Sequence, residues 1–162
     1  MPLQIMPEGV RSVAELLPMT HAVKLLQNLW FGQGWGSSTT HVIVMLATLI
    51  DEGKLDWETT FGEVFPELID DVHEDFHSVT LQMLLEHTAG FRRDAPRPRA
   101  YNDLQLTDQR LAIVRDTLAS RSDVDTGTHH YSNLGYVAAG CMAERVTGMS
   151  WEALMTTKLF IP

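Results

Sequence analysis

Two stretches of this sequence set reactive side chains at spacings that chemistry can use. His73-Glu74-Asp75-Phe76-His77 has the His-Glu-x-x-His pattern, which on a helix puts two imidazoles on one face for Zn²⁺ with the glutamate as base. Such a site needs a sustained helix and a third ligand. This stretch instead follows Asp70-Asp71 and runs into Ser78-Val79-Thr80, the start of the next element, so solvated loop histidines are expected and no metal site. His129-His130 does not complete the set, because adjacent residues in a turn point apart. In Gly36-Ser37-Ser38-Thr39-Thr40-His41 an imidazole follows Ser38 at three residues. A Ser38/His41 dyad needs close hydrogen-bond geometry, and a Ser-Thr helix cap is the plainer account. The lone Cys141 permits neither an intrachain disulfide nor a multi-thiolate zinc centre, and is expected to be a small buried hydrophobe. No cofactor is implied.

The elements that must position these groups are legible from caps and periodicity. Thr80 suits the N-cap of an apolar stretch, Leu81, Met83, Leu84 and Leu85, that runs to His87 and is stopped by Gly90. Thr107 is placed to cap a helix whose Leu111, Ala112, Val114 and Leu118 recur at helical spacing. After Gly127 and the Tyr131-Ser132-Asn133 turn, residues 134–146 read as a buried helix closed by Gly148. Ser150 then caps a last amphipathic helix with Trp151, Leu154 and Leu159. Residues 92–101, with Pro96 and Pro98 among four arginines and Asp94, read as a surface loop.

Composition narrows the partners. The chain has 162 residues, a formal charge of -9 and no cluster of Lys and Arg, which argues against nucleic acid and anionic membrane surfaces. Residues 1–50 carry only Glu8, Glu15, Arg11 and Lys24, so the whole net charge lies in residues 51–162. The N-terminus has no basic n-region, and Glu8, Arg11 and Glu15 break its first apolar stretch. A secretory signal is therefore not expected, and the chain as given is expected to stay in the cytoplasm. The longest apolar run, residues 42–50, is about half of the roughly 20 residues a membrane span requires.

Four phrases occur in a fixed order: Asp51-Glu52-Gly53-Lys54-Leu55-Asp56-Trp57; Val79-Thr80-Leu81-Gln82-Met83-Leu84-Leu85-Glu86-His87-Thr88-Ala89-Gly90-Phe91; Gly127-Thr128-His129-His130-Tyr131-Ser132-Asn133-Leu134-Gly135-Tyr136; and Glu144-Arg145-Val146-Thr147-Gly148-Met149-Ser150-Trp151. In this order they resemble the serine β-lactamase, esterase and D-alanyl-D-alanine carboxypeptidase family of class C type, the penicillin-binding-protein-like hydrolases, over nearly all of residues 51–162. The resemblance implies an α+β parent fold, a central antiparallel sheet with a helical subdomain, of which this chain would hold chiefly the helical part. It also implies a small-molecule acyl substrate. A serine attacks a carbonyl only if something takes its proton, and a tyrosine or lysine beside a cation can do so. By resemblance Tyr131 would be that base or proton shuttle, and Asn133 would hold the substrate amide or the lysine.

The family's nucleophile is Ser-x-x-Lys, one helix before the Glu-Gly-Lys-Leu phrase. Counting back from Gly53 reaches Gly36 to Thr39, and no lysine lies between Lys24 and Lys54. The acylating pair is thus absent, and no catalysis is expected. The family's Lys-Thr-Gly or His-x-Gly strand is expected beyond Pro162. Residues 1–45, with Pro18-Met19-Thr20-His21-Ala22-Val23 and Leu29-Trp30-Phe31-Gly32, resemble the C-terminal part of an ABC-2-type transporter permease. Two parts are expected, a permease-like apolar helical segment over 1–50 that could associate with a membrane and a hydrolase-like part over 51–162, joined near residues 46–51. Without the parent sheet, the apolar faces of 134–146 and 81–85 are expected to be bare and to drive self-association.

Overall fold

The structure, a computed structural model, describes residues 39–95 and 101–160. The chain divides into two compact units, Glu52–Trp151 and the flanking Met1–Asp51 with Glu152–Pro162. Within the flanking unit, helix α1 spans Thr39–Asp51 and passes without a break through residues 46–51. No helix among the described residues is long and apolar enough to cross a membrane.

The Glu52–Trp151 unit is helical. Helix α2, Phe61–Val64, opens on a capping box: the Thr60 hydroxyl accepts the Glu63 amide while the Glu63 carboxylate accepts the Thr60 amide. Two 3₁₀ turns follow, Pro66–Asp71 and Glu74–Phe76. Helix α3 is Leu81–Leu85, with the expected Thr80 cap accepting from the Met83 amide. It stops earlier than the sequence suggests. Glu86 is its C-cap, and His87, not a glycine, takes the left-handed backbone at φ 61°. Helix α4 is Leu106–Leu118 and helix α5 is Asn133–Thr147, the latter capped by Ser132 and closed by Gly148 at φ 67° as expected. Helix α6, Trp151–Met155, and a π-helical turn, Thr156–Phe160, complete the described chain.

Helix α5 is the centre of this unit, packing against α2, α3 and α4. Its buried residues include Leu134 and Met142 and, between and around them, Gly135, Ala138, Ala139, Gly140, Cys141 and Ala143, whose small side chains let neighbours come close. Around it the larger groups interlock: Phe61 stacks on Phe65 at 4.6 Å, and Phe76 meets Phe91 edge-on at 5.1 Å.

Two expectations are corrected. Thr107 is not a cap. Helix α4 starts at Leu106 behind Gln105, which makes no side-chain cap bond, and the Thr107 hydroxyl goes 37 residues along the chain to Glu144. The apolar faces of 134–146 and 81–85 are not bare either, because α3 and α5 pack on each other; Leu81, Leu84, Leu134, Ala138 and Met142 are all buried. The helical character of the unit agrees with a chain that holds chiefly the helical part of its parent fold; among the described residues there is no strand, only the antiparallel bridge Thr60–Thr80.

Cys141 is the buried hydrophobe expected of it. Burial, helped by the nearby Glu144 carboxylate, pushes its thiol up to about 12. Native protein at neutral pH should therefore resist a thiol-directed alkylating reagent and react stoichiometrically only once unfolded. Rapid native modification, followed by mass spectrometry, would show that α5 opens far more readily than its packing implies.

Candidate functional site

The Tyr131 turn is built on the segment that leaves α3. Residues 87–93 present carbonyls that collect amides from residues 123–133. The Gly127 amide donates to the Thr88 carbonyl at 2.7 Å, His130 to His87 at 2.7 Å, Asn133 to Arg93 at 3.0 Å, and Asp123 to Gly90 at 3.0 Å. Gly90, at φ 75°, lies so close to residues 122–126 that a Cβ would stand 2.7 Å from the Val124 carbonyl oxygen. Residues 92–95 form the expected surface loop, with the Arg93 carbonyl tied down by the Asn133 amide; residues 96–100 lie outside the described residues. Ser132 locks the turn. Its buried hydroxyl donates to the Arg92 carbonyl at 2.6 Å and accepts the Leu134 amide at 3.1 Å, so it is occupied in both roles.

Tyr131 and Asn133, named from the sequence, are brought together. The Tyr131 side chain is 52% exposed, enough for a ligand to reach it, and its hydroxyl donates to Asn133 Oδ1 at 3.0 Å. Asn133 Nδ2 donates to Asp94 Oδ1 at 2.8 Å. A carboxylate only accepts, so Asp94 fixes which end of the amide faces it and leaves Oδ1 for the tyrosine. Arg93 stands over the Tyr131 ring, its Cζ 5.9 Å from the centroid, and its Nε lies 3.7 Å from Asp94.

His87 packs on the same group. Its ring centroid is 4.6 Å from that of Tyr131, 5.4 Å from Tyr136 and 5.9 Å from His129. Its Nδ1 accepts the Ser132 amide at 3.3 Å. Burial, with the adjacent His129, holds His87 below the usual imidazole range. Contact with the Ser132 backbone would raise it if the ring were the donor. Here the amide donates, which needs an unprotonated nitrogen and favours the neutral ring.

His87, Arg93 and Asp94 are site neighbours that sequence reasoning did not single out. The available signal was a histidine just past a short apolar helix, where a left-handed residue is wanted and histidine is tolerated better than most. Ser37 and Ser38 lie outside the described residues, as does any geometry for a Ser38/His41 dyad.

The His-Glu-x-x-His stretch is not a sustained helix. Only Glu74–Phe76 is helical, as a 3₁₀ turn; His73 Nδ1 accepts the Asp75 amide at 3.3 Å, and His77 Nε2 lies 3.0 Å from the Val72 carbonyl oxygen. Among the described residues no three His, Cys, Asp or Glu side chains are grouped to hold a metal ion. Asp75 serves the fold instead. The Ser122 amide, joined by the Ser122 hydroxyl, His73 and Arg121, outweighs desolvation and holds its carboxyl below the usual range.

Comparison with known proteins identifies the family. The family described as "Beta-lactamase" matches residues 35–162. The chain is 28% identical over 132 residues to "Penicillin-binding protein 4" of Amycolatopsis lactamdurans, covering 80% of this chain and 33% of that protein. It thus spans about a third of that relative's length. No solved structure matches the chain. The family match takes in α1 and the Gly36 to Thr39 stretch, and the permease resemblance of residues 1–45 finds no support in these comparisons.

Proposed function

Because this chain belongs to the beta-lactamase family, we propose that its Tyr131 turn is the tyrosine side of an acyl-transfer site for a β-lactam, ester or D-alanyl-D-alanine-like amide, and that this chain does not itself complete acylation. The observation that carries the reading is the Asp94–Asn133–Tyr131 chain of hydrogen bonds on an exposed, rigidly anchored turn. A proton shuttle needs a hydroxyl held at a fixed place with an oxygen still able to accept. Tyr131 donates a hydrogen bond to Asn133 and keeps its lone pairs for an incoming O–H. Asp94 takes one N–H of the Asn133 amide, and the second is the one suited to an acyl carbonyl. What is missing is the attacking group: no serine in the 162 residues is followed three positions later by lysine. A hydroxyl without that cation stays a poor nucleophile.

The test is labelling with a fluorescent penicillin, alongside turnover of a chromogenic cephalosporin and of nitrophenyl esters. Neither label nor turnover is expected above a heat-denatured control. Stoichiometric labelling of any serine would overturn the claim of incompetence. The exposure of Tyr131 favours a second reading, binding of an acyl peptide without turnover. Saturable binding of an N-acyl-D-alanyl-D-alanine peptide, lost on Tyr131→Ala, would establish it; its absence would leave the turn as inherited architecture.

A further inference from the structure

His87 touches the Tyr131 turn at more points than any helix terminus requires. Its carbonyl accepts the His130 amide, its Nδ1 accepts the Ser132 amide, and its ring lies against Tyr131, Tyr136 and His129. Its backbone sits at φ 61°, a conformation that aims the side chain across the turn instead of along α3. We infer that His87 is the positioning residue of the site: its neutral ring, unprotonated at Nδ1, seats Ser132 and with it the Tyr131 and Asn133 side chains on either side. The inference rests on the reading of Tyr131 as the functional hydroxyl, and it assigns to the histidine of the His-Thr-Ala-Gly phrase a task beyond ending a helix.

The chemistry is one proton wide. An imidazole accepts through a ring nitrogen only while that nitrogen is bare, and protonation turns Nδ1 into a donor facing another donor. The charged ring would also face His129 from the turn, with Tyr131 and Tyr136 as its aromatic neighbours. Arg93 and Asp94 couple to it through Tyr131 and Asn133, and Glu86, the preceding residue, is engaged by Gln82 at 2.8 Å. Among the described residues no carboxylate is bonded to the ring to offset the new charge. Acid therefore does not simply weaken the fold; it releases this turn first.

The experiment is hydrogen exchange by NMR on the whole chain between about pH 8 and about pH 5, with His87 nitrogen shifts reporting its tautomer. Ser132 should be protected while His87 is neutral and should lose about tenfold in protection as pH falls through the depressed titration of His87, while Asp123, bonded to Gly90, keeps its own. His87→Asn retains an acceptor near the Nδ1 position and tolerates the left-handed backbone, so it should keep Ser132 protected with no pH step. His87→Gln carries its acceptor one bond too far and should lose protection at every pH. A pH-independent Ser132 amide in the native chain, or equal protection in the Asn and Gln variants, would overturn the inference. None of these readouts uses an acyl ligand, so their failure is separate from a failure of the proposed function.

Discussion

Gly135→Ala should destabilise the Glu52–Trp151 unit by about 3 kcal/mol, although alanine is the better helix former. In an exposed helix the exchange gains about 1 kcal/mol. Here a Cβ at position 135 would stand 2.4 Å from the Leu84 carbonyl oxygen and 3.2 Å from its carbon. Both are backbone atoms, so no rotamer change relieves the overlap and α3 must back away from α5. The same shift would pull on His87, three residues beyond Leu84, and through it on the Tyr131 turn. Against a total stability of roughly 5 to 15 kcal/mol the loss is large. Gly140→Ala is the control: its Cβ would meet the Trp151 ring at 3.6 Å, an ordinary contact, and should be neutral or mildly stabilising. Urea melts of the two variants decide the matter. A Gly135→Ala chain as stable as the parent would mean that α3 and α5 do not approach as described.

Arg110→Ala is expected to cost about 3 to 5 kcal/mol, because it strands a buried charge. Glu144 is only 5% exposed and sits at a junction: Arg110 Nη2 donates to it at 2.5 Å and Nε at 3.3 Å, the Thr107 hydroxyl at 3.2 Å and the Trp151 amide at 2.7 Å. Helix α4 and the start of α6 thus meet on one carboxylate of α5. Losing the guanidinium leaves it with neutral donors alone, whereas Glu144→Gln removes the charge and keeps an acceptor. The Gln variant should therefore be less damaged than Arg110→Ala, and the double variant Arg110→Ala/Glu144→Gln should recover part of the loss. Thermal melts of the set, read as a double-mutant cycle, check this. Additive losses would show that the two side chains act independently.

How much of this was legible depends on the range of the interaction. The Thr80 cap, the Gly148 stop and the body of α4 are settled within a few residues, and the sequence displays them. Thr107 misled because its partner lies 37 residues away. The end of α3 was overrun because His87 adopts the conformation for which a glycine is the usual marker. The expectation of bare apolar faces failed on a simple count of neighbours: helices cover one another as well as a sheet does, when one of them is as narrow as α5. For the site, the order of four short phrases located Tyr131 and Asn133. Nothing in the order reveals that Asp94 orients the Asn133 amide, since that pairing spans 39 residues.

The narrowness of α5 also sets how this unit responds to change. Gly135, Ala138, Ala139, Gly140 and Ala143 have no side-chain rotamers to freeze, whereas a leucine at each place would surrender about 0.5 to 1 kcal/mol of rotational freedom on folding. Ordering the central helix is thus limited to its backbone, and the apolar mass is carried by its neighbours. A consequence is a strong asymmetry in tolerance. Trimming those five positions has almost nothing to remove, while enlarging Gly135 must reopen the contact between α3 and α5. Variation compatible with this fold should therefore accumulate on the surrounding helices and leave the middle one nearly fixed in size.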